Sequence, residues 1–381
     1  MNKRRWLGVT LVIALGASFA YIAAHRAPAN TATAPDSAIA ALSAQSGDAG
    51  FARAEHARDF VFPRDHAAHP DYRSEWWYFT GHLRDAKGRP FGFQLTLFRF
   101  EMAAQQAPSS LQSSSAWRTP TVLLGHFGLS DIASTKFHAF ERLSRALPTV
   151  AGTKLAPPAV WLDDWRIEQQ GDDAWHLHAA QDGVALTLEL EAASAVVLQG
   201  EAGLSRKSAA AGNASYYYSV PKLTARGSVL LADGKLEVTG EAWLDREWST
   251  SALSREQSGW DWFALQLADG GSLMFYRLRQ RDGGTDDYSA GSYVDASGKQ
   301  HRLSAQDLRI EARGAWTSPH SGRVYPQGWH LEVPRMKLAW ALAPRLVDQE
   351  WRGRFHYWEG AVTVTQDGQP AGLGYVELTG Y

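Results

Sequence analysis

Along most of this chain hydrophobic and polar positions alternate one by one. Phe91, Phe93, Leu95 and Leu97 are separated by Gly92, Gln94 and Thr96, and Val184, Leu186, Leu188 and Leu190 by Ala185, Thr187, Glu189 and Glu191. A period of two places like residues on one face of a pleated strand. Ala225 to Leu231, the Asp233-Gly234 turn and Lys235 to Asp245 read as a hairpin, because Asp-Gly supplies the backbone that a tight turn needs. Trp260 to Leu267 and Ser272 to Arg279 read as a second hairpin around Asp269-Gly270-Gly271. From Phe60 the texture is β throughout, with an aromatic run over Glu75–Leu83, and further strands are predicted at Thr121–Asp131, Tyr288–Val294, Leu308–Ala312, Trp329–Val333, Gly360–Thr365 and Leu373–Thr379. Glu141 to Leu147 is expected as one short helix and Gln105 to Ser115 as a polar surface loop. No other long stretch past the N-terminal segment carries a 3.6-residue apolar period, so the fold class is all-β.

The texture repeats. Trp76-Trp77-Tyr78-Phe79, then Leu83 and Asp85, echo Trp260-Asp261-Trp262-Phe263, then Leu267 and Asp269, at one constant offset. Phe98-Arg99 echoes Tyr276-Arg277, and Leu236 to Gly240 echoes Val376 to Gly380. Three echoes in one order predict two related β-barrels or sandwiches in tandem. The boundary is placed just before or within the Gly240–Thr250 stretch, giving domains over 59–240 and 241–381.

The first residues differ from everything after them. Lys3-Arg4-Arg5 precedes Trp6 to Ala24, 19 residues without a charge, and small residues follow at Ala20 or Ala29 as cleavage options. Residues 1–29 therefore read as a signal peptide or an N-terminal membrane anchor. The body is expected in the periplasm or secreted, with residues 6–24 as the anchor if they stay attached. Residues 30–58, rich in Ala, Ser and Thr, read as a linker. The formal net charge of −2, without long runs of one sign, argues against a nucleic-acid partner. Cysteine is absent, which excludes disulfides, thiolate metal sites and a Cys nucleophile. The 16 Trp, 13 Tyr and 15 Phe suit a ring-rich β core, with a few rings left to line a pocket.

Candidate chemistry concentrates in Gly240-Glu241-Ala242-Trp243-Leu244-Asp245-Arg246-Glu247-Trp248-Ser249-Thr250. On a strand, Glu241, Trp243, Asp245 and Glu247 share one face, with Ala242, Leu244 and Trp248 on the other. An acid set among rings loses water, which disfavours its charged form and keeps its proton. The competing reading makes Asp245 and Glu247 structural partners of Arg246 or Arg255, which would hold Asp245 ionised. His69, Glu75, His82 and His126 offer metal-ligating atoms, but their spacings match no compact ligand motif. Histidines satisfied within the structure are expected instead, without metal or cofactor. There is no Gly-x-Ser-x-Gly elbow and no His-Glu-x-x-His pair.

His69-Pro70-Asp71, Ser74 to Leu83, Tyr216-Tyr217-Tyr218-Ser219-Val220-Pro221, Gly240 to Ser249 and Gly374 to Tyr381 together resemble the AttH-type lipocalin-like (calycin) proteins, often labelled predicted secreted hydrolases. The resemblance covers roughly residues 55 to 381 and implies two lipocalin-like antiparallel barrels packed together. A more distant likeness links this family to the acyclic-carotenoid hydratases of the hydroxyneurosporene synthase type. That likeness implies an aromatic residue two positions before an essential Asp, here Trp243 and Asp245. It also implies an upstream His-x-Trp pair, at whose place this chain has Tyr216 and Tyr218.

Two function classes follow. One is an exported enzyme acting on a hydrophobic small molecule, with Asp245 as acid, Glu247 as base for water, and Trp243, Tyr216 and Tyr218 holding the ligand and facing a developing cation. The other is a non-catalytic carrier of an apolar molecule or lipid, working beside a membrane transporter as the AttH-type setting implies. Asp245 and Glu247 among rings favour the first class; the replaced His-x-Trp pair favours the second.

Overall fold

The computed structural model describes residues 49–104, 119–251 and 253–381. The expected signal or anchor segment, most of the expected linker and the Gln105–Ser115 loop lie outside the described residues. The chain is all-β: two lipocalin-like antiparallel barrels packed together. Among the described residues there is no α-helix, and only two short 3-10 turns.

The first sheet opens with the meander β1 (Ser74–Asp85), β2 (Pro90–Glu101), β3 (Thr121–Asp131) and β4 (Lys136–Arg145). It continues through β5 (Ala151–Leu155), β6 (Pro158–Leu162), β7 (Trp165–Gln169), β8 (Ala174–Gln181) and β9 (Val184–Ala192). Short β10 (Val197–Leu198) and β11 (Leu204–Arg206) precede the long hairpin of β12 (Ala214–Leu231) and β13 (Gly234–Ser249). β13 lies between β1 and β12 and so joins the two meanders.

The second sheet contains β14 (Gln257–Leu267), β15 (Ser272–Gln280), β16 (Ala290–Val294), β17 (Gln300–Ser304) and β18 (Arg309–Arg313). After the small pair β19 (Trp316–Thr317) and β20 (Val324–Tyr325) come β21 (Gly328–Val333), β22 (Leu338–Pro344), β23 (Glu350–Arg352), β24 (His356–Gln366) and β25 (Gln369–Leu378). Here β25 lies between β14 and β24, as β13 lies between β1 and β12. The repeat seen in the sequence is therefore a repeat of topology.

Several expectations need correcting. Glu141 to Leu147 is no helix: most of it belongs to β4, whose backbone pairs with β3 at the sheet edge. The boundary expected at 240/241 falls inside β13, and sheet membership changes between Ser249 and Gln257. Register revises two echoes. Tyr78 pairs with Asp245 and Trp262 with Glu377, so Val376 to Gly380 corresponds to residues 244–248, not to Leu236–Gly240. Similarly Thr96, opposite Tyr78, corresponds to Tyr276, opposite Trp262. The described end of the expected linker is docked: Ala54 is buried, and Thr250 Oγ1 donates to Ala52 O at 2.5 Å.

Each barrel interior is filled by its own alternating residues. Phe79, Phe93, Leu95, Leu188, Trp165 and Trp248 belong to the first core; Phe263, Phe275, Trp329, Trp340, Val362 and Val376 belong to the second. The opposite faces of β1, β12, β13, β14 and β25 meet in a third cluster containing Tyr78, Tyr217, Trp243, Trp262 and Tyr375. This explains why β1 reads as a continuous aromatic run: one face fills a barrel and the other meets the second barrel, so both are dry.

Candidate active site

The faces that meet between the barrels do not fill the space. A cavity of about 150 Å³ remains, lined from the first barrel by Trp76, Tyr78, Tyr217, Asp245 and Glu247 and from the second by Trp260, Trp262, Tyr276, Glu359 and Glu377. Lys207, Phe98, His126, Phe355 and Tyr357 extend the wall. The chamber lies between the two barrels, whose own interiors are packed with side chains.

Asp245 sits in this wall, 2 % exposed. Ser219 Oγ donates to its Oδ1 at 2.5 Å, Trp243 Nε1 donates to the same oxygen at 2.7 Å, and the Tyr217 hydroxyl donates to Oδ2. Burial raises its pKa to about 6, against the lowering pull of those three donors, and the charge of Glu247 adds to the rise. Trp262 Nε1 donates to the Tyr217 oxygen at 3.0 Å, tying the second barrel to this cluster. Burial and the Asp245 charge push the Tyr217 phenol well above its ordinary range, so it remains a donor.

Arg246 turns away from Asp245. It is fully buried in the first barrel, with its guanidinium 3.9 Å from the Trp77 ring centre. It donates to Ala67 O at 2.7 Å and to Glu75 Oε2 at 3.2 Å. Burial alone would raise the pKa of Glu75, but Arg99, His69 and Arg246 together hold it below its ordinary range. Glu75 therefore belongs to a structural ion network. His82 reaches Gly374 O at 3.0 Å. His126 lies 2.8 Å from the Tyr357 hydroxyl through Nδ1 and 3.3 Å from Glu141 through Nε2. His69 is bonded to Glu75, whereas His82 and His126 bond to other groups.

The structure places Trp243, Asp245 and Glu247 together on the inter-barrel face; Asp245 and Glu247 line the cavity, whereas Trp243 does not and reaches the site through its bond to Asp245. Glu247 reaches Lys207 Nζ at 3.2 Å, and that ammonium also lies 3.8 Å from the Tyr276 ring centre. Burial alone would lower the Lys207 pKa; Glu247 and Tyr276 outweigh it and hold the ammonium above its ordinary value.

Tyr216 and Tyr218 are not in the cavity. Both point into the first barrel, where the Tyr216 hydroxyl donates to His56 O at 2.8 Å and Tyr218 meets His66 Nδ1 at 2.5 Å. The cause is a bulge. From the turn, β12 and β13 pair regularly as far as Leu223 with Ala242, but the register then slips by one between Val220 and Leu223. An unbroken ladder would set Val220 against Asp245 and bring Tyr216 and Tyr218 to its face. The slip sets Ser219 against Asp245 and Tyr217 against Glu247 instead. Pro221, which lacks a backbone N–H, falls within the irregularity.

Sequence reasoning missed the second barrel's acids. Glu359 and Glu377 are direct cross-strand partners on β24 and β25. Tyr78 donates to Glu359 across the barrel interface, and Trp260 Nε1 donates to Glu377 Oε1 at 3.1 Å. Burial, with Glu377 close by, raises the Glu359 pKa well above its ordinary value. Burial likewise raises Glu377, to about 8, despite the Trp260 bond, with Asp245 and Glu247 adding to the rise. A single acid within each apolar run, Tyr357 to Ala361 and Gly374 to Leu378, was the available signal.

The profile of the AttH-like family matches residues 53–381. The chain belongs to the AttH-like family. A solved structure described as an AttH from Nitrosomonas europaea is similar to this AttH-like chain at 36% sequence identity and a TM-score of 0.76, covering 87% of this chain and 100% of that one. Kievitone hydratase from Nectria haematococca shares the AttH-like fold at a TM-score of 0.64 and 14% identity, covering 87% of this chain and 98% of its own. A search of curated proteins found no match.

Proposed function

We propose that this AttH-like chain is an exported protein that takes a hydrophobic small molecule into the inter-barrel cavity and adds water to it, or removes water, by acid catalysis. The observation that carries this reading is Asp245: a buried carboxyl at the wall of an aromatic chamber, its pKa raised to about 6, with no arginine against it among the described residues. In hydration, the Asp245 O–H breaks as a C–H bond forms at an unsaturated carbon. The π faces around the cavity stabilise the cationic centre. Water then forms the C–O bond and gives its proton to Glu247. The hydratase character of a structural neighbour agrees with this chemistry, though that likeness supports the fold alone. Export rests on the Lys3–Ala29 pattern.

The test starts with mass spectrometry of what co-purifies from the native host, followed by turnover of that compound. Asp245→Asn keeps the shape and removes the transferable proton. Turnover should fall by about a hundredfold or more while the compound still binds. Unchanged handling of the compound by Asp245→Asn would favour the carrier reading, with delivery to a membrane transporter.

A further inference from the structure

The mechanism above leaves two buried acids unused. Glu359 and Glu377 stand directly opposite each other on β24 and β25, and both line the cavity. Directly opposed residues on one face have Cβ atoms about 4.5–5.5 Å apart, so their carboxyl groups can meet. Two carboxylates that close cannot both ionise without a cation between them. Lys207 is the one ammonium or guanidinium among the described lining residues, and it is engaged by Glu247.

The hydrogen bonds are unequal. Tyr78 donates to Glu359 Oε1 and the Tyr357 hydroxyl lies beside the same carboxyl, whereas Glu359 Oε2 makes no hydrogen bond of ordinary geometry among the described residues. A bare buried acceptor is costly, but a carboxyl that carries a proton there becomes a donor, and the acid across the strand is its acceptor. Trp260 fixes one oxygen of Glu377. The Glu377 side chain is less completely buried than Glu359 and keeps access to the cavity. Around it stand the rings of Trp76, Trp260, Trp262, Phe98 and Phe355.

We propose that the Glu359–Glu377 pair is a binding subsite for an acceptor oxygen, a carbonyl or hydroxyl carried by a flat unsaturated molecule, with both acids protonated: Glu359 donates its proton to Glu377, and Glu377 donates its own to the ligand. This deepens the hydratase reading, on which it rests, by naming the substrate class: a conjugated or aromatic compound bearing oxygen, in preference to a bare hydrocarbon. The carboxyl pair acts here as a hydrogen-bond donor; no covalent step is assigned to it.

The experiment compares two uncharged probes of nearly equal shape, 2-acetonaphthone and 2-isopropylnaphthalene, titrated into the purified protein and followed by tryptophan fluorescence and calorimetry. The wild type should bind the ketone about tenfold more tightly than the hydrocarbon. Glu377→Met should bind the two within about twofold of each other while retaining the hydrocarbon, which also shows that it is folded. Glu377→Gln, whose amide still donates, should keep part of the preference. Equal binding of both probes by the wild type, binding of neither, or an unchanged ratio in Glu377→Met would each overturn the assignment. The ratio requires no turnover, so it stands or falls separately from the outcome of Asp245→Asn.

Discussion

At the scale of single residues, the site depends on which tyrosine reaches Asp245. Tyr217 donates to Asp245 and accepts from Trp262, whereas Tyr218, one residue later, meets His66 inside the first barrel. Burial drives the Asp245 pKa up and the Tyr217 bond pulls it down. Removing that bond must therefore raise it further. Tyr217→Phe should move the midpoint of the Asp245 carboxyl above about 6, and Tyr218→Phe should leave it in place. Infrared spectroscopy of the protonated carboxyl band across pH, assigned by its loss in Asp245→Asn, reads both. An equal shift in the two variants would mean that the donor assignment is wrong.

At the scale of elements, the barrels touch through strands whose outward faces had to be made small. Gly92 on β2 is such a point: a Cβ there would lie 2.6 Å from the Tyr375 hydroxyl and 2.9 Å from Ala361 Cβ, both on the second barrel. These contacts sit at the junction where His82 of β1 bonds to Gly374 O. Burial lowers the His82 pKa to about 3, so it crosses the junction as a neutral ring. A larger residue at 92 must displace one barrel from the other. Gly92→Val should cost about 1–3 kcal/mol by overpacking, measured by urea unfolding, and should weaken hydrocarbon binding in the cavity. Gly88, in the exposed β1–β2 turn with φ +83, has nothing within 4 Å of an added Cβ. A substitution there would report turn strain without moving the barrels.

At the scale of the molecule, the buried acids and histidines set how stability follows pH. His66 and His82 have pKa values lowered to about 3 by burial. Their contribution is complete above the ordinary 6.5 and is lost as pH falls towards 3. Asp245 and Glu377 work the other way. Their raised values, about 6 and about 8, give stability that is present below the ordinary carboxylate range and is lost as pH rises through the native pKa. Below about pH 6 the two trends oppose each other. Between about 6.5 and 8 Glu377 and Glu359 remain, and the native state there holds more protons than the unfolded chain. Stability should therefore decline over that window by about 1.4 kcal/mol per pH unit for each proton retained. Glu377→Gln should flatten the decline in urea midpoint, and a slope as steep as in the wild type would remove Glu377 from this role.

The sequence by itself determined the all-β class, most of the long strands, the Asp233-Gly234 hairpin and the doubling of one topology, because a period of two and turn chemistry are local properties. It also determined that Trp243, Asp245 and Glu247 share a face, since alternation along one strand needs no partner. It did not determine the face shared across β12 and β13. Three consecutive tyrosines satisfy either alternation, and one slipped residue between Val220 and Leu223 exchanges Tyr216 and Tyr218 for Tyr217 and Ser219. Nor could it show that the chamber lies between the barrels, since a residue pointing out of one barrel is exposed or buried according to what packs there. Tertiary structure alone brought Glu359 and Glu377 to Asp245, across more than a hundred residues of chain. Their raised pKa values follow from that meeting, because desolvation and Coulomb repulsion depend on distance in space rather than on position in the chain.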